Sequence, residues 1–313
     1  MFIMGSIMIS FDCAAFLYGI AKNARTNHTP HFCSYARYNT QPEHLREAIN
    51  SILSQTFTDF EFLILNDAST DPCVEEVVKS YDDPRIVYAV NEKNLGISGS
   101  RNRLLDMARG EYLAVMDHDD ISFPTRFEKQ IAFLDSHSDV GIVGSLVANI
   151  VDGKVKARPA EDVEIKKMLM IHCNLSHPSC MLRRSVLEEH NIRYEALFSP
   201  AEDYALFARL MPVTRFAILQ EPLFRYRAWE GNTSHKKAKA MEAAAEGIHV
   251  FMRRDNPEIW AMAQSHLRSV QVYKLFGIPV LAVHRTLKET KILLFCVIPV
   301  FSIRRHLPKI IDI

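Results

Sequence analysis

The chain has 313 residues, about twice the ~150-residue norm for one domain, and is 48% hydrophobic and 24% charged, which excludes a small stapled scaffold. Its 37 Lys and Arg balance 37 Asp and Glu, so no global positive field exists to make nucleic acid a main partner. A mean hydropathy of -0.05 argues against a bundle of membrane spans.

Residues 1–30 read as an N-terminal extension. Met1 to Ile20 is apolar, but Asp12 interrupts it and no Lys or Arg precedes it, as a secretory signal requires. The six cysteines are scattered with no C-x-x-C pair, which suggests neither a zinc site nor a redox motif and fits free thiols in a reducing cytoplasm.

From Phe32 to Ser145 short apolar runs alternate with helical periodicity, the pattern of a parallel sheet with crossover helices. Strands are expected at Phe32 to Tyr38, Phe60 to Leu65, Ile86 to Val90 and Tyr112 to Met116. Thr40-Gln41-Pro42-Glu43 reads as a capping box ahead of a helix whose Leu45, Ile49, Ile52 and Leu53 share one face. Val74 to Tyr81 and Arg101 to Ala108 read as two further crossovers, the last stopping at Gly110.

In such sheets ligands lie beyond the carboxyl ends of the strands, so the residues after each strand form one rim. Two of these ends are acidic: Asn66-Asp67-Ala68-Ser69-Thr70-Asp71 and Asp117-His118-Asp119-Asp120. Three carboxylates on one turn repel each other unless a cation neutralises them, and oxygen ligands suit Mg²⁺ or Mn²⁺. The same turn also reads as an acidic cap on the helix that begins near Pro124. Asp71 fits an Asx-turn as well as ligand contact. No G-x-G-x-x-G follows the first strand and no P-loop sequence occurs, so dinucleotide and P-loop phosphate binding lose support.

Beyond Leu146 the alternation weakens, with His177-Pro178-Ser179 and Glu202-Asp203-Tyr204 as polar islands, and beyond Thr233 the sequence reads as helical. Glu202 and Asp203 fit the acidic first turn of a helix carrying Leu206 and Leu210.

Taken in order, these residues resemble the inverting, metal-dependent nucleotide-sugar glycosyltransferases of family 2, with the GT-A fold. The resemblance runs from about Phe32 to Ser234 and rests on Tyr38-Asn39, Leu45 to Thr56, Leu65 to Asp71, Asn94-Leu95-Gly96, Ser100-Arg101-Asn102, Ala108 to Tyr112, and the D-x-D of Asp117-His118-Asp119. His177-Pro178-Ser179, Glu202-Asp203-Tyr204 and Tyr226-Arg227 follow in the family's order. It implies a Rossmann-like mixed sheet flanked by helices over residues 31–234, with a nucleotide-binding half (31–145) and an acceptor half (146–234), before a helical tail over 235–313.

The resemblance further implies that Asp67 contacts the uracil or ribose, that Arg101 lies near the nucleotide, that Asp117 faces the ribose or sugar and that Asp119 binds Mn²⁺ or Mg²⁺. Arg101 is also expected to open a helix whose free N–H groups meet an anion. Asp203 would be the base and Glu202 its neighbour, His177 would line a pocket, and Tyr226 and Arg227 would close over the diphosphate. The partners implied are a nucleotide-sugar donor, UDP first, and a saccharide or lipid-linked saccharide acceptor. Two positions depart from the family: Ala36 stands for a proline, and Trp229 for a histidine that can ligate metal, with His235 as a substitute.

A nucleotidyltransferase would need a Gly-rich basic loop after the first strand, where Asn39-Thr40-Gln41-Pro42 stands. A non-catalytic nucleotide-sugar-binding module is the remaining alternative, opposed by the presence of Asp117, Asp119 and Asp203 together. In the tail, Lys274, Arg285, Lys288, Lys291, Arg304, Arg305 and Lys309 outnumber Glu289 and Asp312 around the apolar Ile292 to Phe301. That stretch is too short to span a bilayer, so peripheral contact with the inner face of the plasma membrane is expected, as is a cytoplasmic location.

Overall fold

The computed structural model describes residues 41–228 and 237–267, and, as backbone, 31–36, 269–275, 278–285, 289–294 and 298–304. The N-terminal extension, Tyr38-Asn39, Thr40, Trp229 and His235 lie outside the described residues.

An eight-stranded mixed sheet organises residues 31–226 in the order β3-β2-β1-β4-β7-β6-β8-β5. Its strands are β1 (His31–Ala36), β2 (Glu61–Asn66), β3 (Ile86–Val90), β4 (Tyr112–Val115), β5 (Ile121–Ser122), β6 (Val140–Asn149), β7 (Met181–Arg183) and β8 (Arg215–Tyr226). β1, β2, β3 and β4 pair in parallel, β7 runs antiparallel to both β4 and β6, and β8 runs parallel to β6. The carboxyl ends of β2, β4 and β8 therefore share one edge. The strand order reverses between β1 and β4, the switch point at which α/β sheets open a ligand crevice.

The crossovers are α1 (Pro42–Leu53), α2 (Cys73–Lys79) and α3 (Gly96–Met107), followed by α4 (Arg126–Ser136). Every residue of β2 and β4 is buried, as strands covered on both faces require. α1 packs Leu45, Ala48, Ile49 and Ile52 inward, as its periodicity predicts. Its N-cap is Gln41 with no side-chain cap bond, so the expected capping box does not form; Pro42 at the first helical position, where no N–H is needed, sets the start.

Residues 146–226 add α5 (Asp162–Leu169), a 3₁₀ turn at His177–Ser179, α6 (Arg184–Glu189) and α7 (Glu202–Leu210). Two further helices, α8 (Ala238–Asp255) and α9 (Pro257–Leu267), bury Ile248, Phe251, Met252 and Ala263 in the same core. The expectation of a helical tail thus holds only to Leu267. Beyond it the backbone forms a separate antiparallel sheet of β9 (Ser269–Leu275), β10 (Ile278–Arg285), β11 (Glu289–Leu294) and β12 (Ile298–Arg304), in the order β12-β11-β10-β9. The sequence contains the reason. Pro279 and Pro299 would break helices there but are tolerated near a strand start, and Val270 and Val272 alternate with polar residues at the strand period.

Candidate active site

The D-x-D turn leaves β4 at Met116. Asp119 is 5% exposed and Asp120 fully buried, while Asp117 is half-buried. Asp120 Oδ1 accepts the backbone N–H of Arg227 at 2.7 Å, and Arg227 Nε donates to the Asp119 carbonyl at 2.7 Å. The Arg227 guanidinium also pairs with Glu47 of α1. Tyr226-Arg227, at the end of β8, therefore sits against the acidic turn, as neighbouring strand ends must. Burial, then the Asp119 and Asp117 carboxylates, push the Asp120 carboxyl well above its ordinary range. Burial holds His118 neutral, with His44 adding a smaller push; His44 is lowered by burial and by Arg227.

Negative charge is thus in surplus on this turn: Asp119 and Asp117 push the neighbouring Asp120 carboxyl toward its protonated form, Arg227 is already shared with Glu47, and both nearby imidazoles are pushed toward the neutral form. An oxygen-rich, anionic turn of this kind fits a hard divalent cation. Among the described residues no cluster of three His, Cys, Asp or Glu side chains is arranged as a complete cage. Mg²⁺-type ions commonly take one or two carboxylates and complete their shell with substrate phosphates and water. The donor set of Asp117 and Asp119 matches that mode.

Asp67 behaves differently from the expectation of base or ribose contact. It is fully buried, and its carboxylate accepts Asn91 Nδ2 (2.6 Å), Leu95 N (2.6 Å) and Gly96 N (2.9 Å). Hydrogen bonds to a charged group contribute about 1.5–3 kcal/mol each, so this carboxylate is committed to holding the start of α3. Gly96 takes a φ of +71°, which a side chain would resist, where the chain turns onto Asp67. Asp71 forms the Asx-turn, accepting Cys73 N at 3.0 Å.

Arg101 also moves from its expected place. The helix begins at Gly96, not at Arg101, because the anion at its N-terminus is the protein's own Asp67. Arg101 lies one turn further in, 6% exposed, and Nη1 donates to Glu202 Oε1 at 2.6 Å. Its guanidinium rests 5.2 Å over the Tyr194 ring. Burial opposes its charge, but Glu202, Tyr194, Asp203 and Asp117 outweigh that and keep it ionised. Breaking such a buried pair typically costs about 3–5 kcal/mol.

Glu202 and Asp203 form the first turn of α7, with Leu206 and Leu210 buried behind them as the helical spacing predicts. Asp203 is half-buried, and its Oδ1 accepts Tyr204 N at 2.7 Å. Burial raises its carboxyl above the usual range, and Arg101 opposes the rise. Glu202 is raised by burial as well, with Arg101 opposing and Asp203 adding to the shift.

His177 is packed into the core. It is 2% exposed, meets the Tyr194 hydroxyl through Nε2 at 2.9 Å, and packs against Phe207. Burial and then Arg101 hold it well below its ordinary pKa, so it is a neutral core histidine that fixes Tyr194. Tyr194 and Asn91 carried no signal of their own in the sequence; Asp120 stood in the quoted acidic turn.

The model for Glycosyl transferase family 2 matches residues 36–190. An uncharacterized glycosyltransferase of Methanocaldococcus jannaschii is 34% identical over 200 residues, covering 61% of this chain and 68% of that one. The chain belongs to glycosyl transferase family 2. The amylovoran biosynthesis glycosyltransferase AmsE of Erwinia amylovora is 28% identical over 198 residues, 61% of this chain and 73% of that one. Among solved structures, S. aureus TarS 1–349 in complex with UDP-GlcNAc superposes with a TM-score of 0.57 at 20% identity, covering 71% of this chain and 66% of that one. That likeness establishes the GT-A type of α/β fold. The family match includes the D-x-D turn, α3 and His177; Glu202-Asp203 lies beyond its last residue.

Proposed function

We propose that this family 2 member transfers a sugar from a nucleoside diphosphate donor, UDP first, to a saccharide or lipid-linked saccharide acceptor with inversion at the anomeric carbon. One observation supports the reading: Arg101, which pairs with Glu202 of α7 at 2.6 Å, is also within electrostatic reach of Asp203 and of Asp117 in the D-x-D turn, so both acidic motifs act on the same buried charge.

In this reading Asp203 takes the proton of the acceptor hydroxyl as that oxygen attacks from the face opposite the diphosphate. Its raised affinity for protons suits a base working near neutral pH. Asp117 and Asp119 would hold Mn²⁺ or Mg²⁺, which when bound would supply charge stabilisation to the departing diphosphate. Arg227, bonded to the turn at Asp119 and Asp120, adds a fixed positive charge on the diphosphate side, with Tyr226 beside it. TarS binding UDP-GlcNAc supports UDP as the donor nucleotide, and AmsE's part in amylovoran biosynthesis supports a role in polysaccharide synthesis.

A screen of nucleotide sugars that detects released nucleoside diphosphate, with Mn²⁺ and acceptor saccharides present, tests the reading. Turnover with a UDP-sugar is the expected result. UDP binding without transfer to any acceptor would instead make the chain a binding module.

We also place the enzyme on the inner face of the plasma membrane, held by the cationic segment from Lys274 to Lys309. Among the described residues no helix is long and apolar enough to cross a membrane. Cationic side chains beside an anionic leaflet add roughly 1 kcal/mol each, falling with salt. The full chain is expected to float with anionic liposomes at low salt and a truncation before Arg268 to stay behind. Both remaining soluble would refute the membrane assignment.

A further inference from the structure

Resting on that function, we propose that Ser100-Arg101-Asn102 of α3 couples the donor half to the base-bearing helix α7, with Arg101 a positioning residue for Asp203 and not a ligand of the diphosphate. Successive residues of a helix point about 100° apart, so three in a row reach three different partners. Ser100 receives Asn91 Nδ2 at 3.2 Å, and the same amide donates to Asp67, which holds the start of α3. Arg101 holds Glu202 at 2.6 Å. Asn102 clasps the backbone of Tyr194 from both sides, Nδ2 to the carbonyl at 2.8 Å and Oδ1 from the N–H at 2.9 Å.

The set closes on itself. The Tyr194 ring covers the Arg101 guanidinium, and His177 holds the tyrosine hydroxyl. Ser100, Arg101, Tyr194, His177 and Glu202 are all at most 6% exposed. A guanidinium engaged by a carboxylate and covered by a ring is not presented to a diphosphate. It instead fixes the residue next to Asp203, from a helix whose other end of contact is the turn at the end of β2. A base carried on a fixed first turn is held to the sub-ångström tolerance that proton transfer requires, and misplacement by about 1 Å can cost 10²-fold in rate.

Arg101→Gln and Glu202→Gln, with UDP affinity measured calorimetrically in Mn²⁺ and transfer kinetics measured beside it, decide the matter. For Arg101→Gln the expected result is a fall in kcat of about 10²-fold with UDP affinity and donor KM unchanged, and Arg101→Lys recovers part of the loss. Glu202→Gln keeps an oxygen for Arg101 Nη1, so it should fold even if Arg101→Gln proves too unstable to measure, and lower kcat less, again at constant UDP affinity. Weakened UDP binding in Arg101→Gln with kcat preserved would make Arg101 a phosphate ligand and overturn the proposal. A raised acceptor KM at intact kcat in Glu202→Gln would overturn it too, by making Glu202 an acceptor ligand. A wild-type protein that neither binds nor turns over UDP-sugars refutes the functional reading and this inference with it, an outcome distinct from either variant's failure.

Discussion

Asp203→Asn is expected to lower turnover by roughly 10²- to 10⁴-fold while UDP binding survives, because the amide keeps the carboxylate's shape but cannot take a proton. The acceptor oxygen Oδ1 that receives Tyr204 N remains in the variant, so the start of α7 is preserved. The pH dependence follows from the direction of the shift. Burial raises the Asp203 carboxyl, so the group is protonated and inactive over a pH range in which an ordinary aspartate would already be ionised. The acidic limb of the wild-type pH–rate profile should therefore lie above the usual carboxylate range, and Asp203→Asn should lose that limb along with the rate. Measured kcat across pH in both proteins provides the check. Near-normal turnover in the variant would move the base elsewhere, with Glu202 the first residue to test.

The fold was legible wherever periodicity and burial agree. β3 begins and ends at the expected residues, and β2 and β4, whose short apolar runs are buried throughout and leave few alternatives, lie within a residue of expectation. The start of α3 was not legible. Gly96 and Gly99 looked like a loop ahead of a helix at Arg101, whereas Asp67, far away in sequence, supplies the charge that begins the helix at Gly96. The tail beyond Leu267 was misread because its aliphatic composition suits helix and strand alike, and only the Val alternation and the prolines separate the two.

For the site, the acidic motifs were visible as motifs but their division of labour was not. Asp67 and Asp119 both follow a strand and are expected from the resemblance to meet the nucleoside and the metal, yet Asp67 is engaged by three N–H donors of the chain itself, while Asp119 lies in a turn whose negative charge is in surplus. Arg101 and His177 read as ligand-facing, and both are buried in one cluster around Tyr194. The partner of a buried charge is set by tertiary packing. Glu202 is 101 residues from Arg101, a separation that no local pattern reveals.

Removal of the divalent cation is expected to abolish transfer, and Asp119→Ala to do the same. The D-x-D turn carries surplus negative charge, so without a cation it repels the diphosphate it must receive; metal stabilisation of a leaving phosphate is worth several kcal/mol, or roughly 10²- to 10⁴-fold in rate. EDTA should stop turnover and Mn²⁺ or Mg²⁺ restore it. A second readout is independent of activity: Mn²⁺ should raise the melting temperature of the wild type in a concentration-dependent way and leave Asp119→Ala unmoved, since binding stabilises only the state that holds the ion. Asp120→Asn is the control. Its carboxyl is already pushed toward the protonated form by burial, Asp119 and Asp117, and the amide oxygen can still receive Arg227 N. A group that holds its proton more tightly when folded contributes stability below its unfolded pKa and loses it as pH rises through the folded one. Asp120→Asn should thus be as stable as the wild type or more so at neutral pH without metal, and remain active with it. Full turnover in chelator, or a Mn²⁺ shift retained in Asp119→Ala, would remove the cation from this turn.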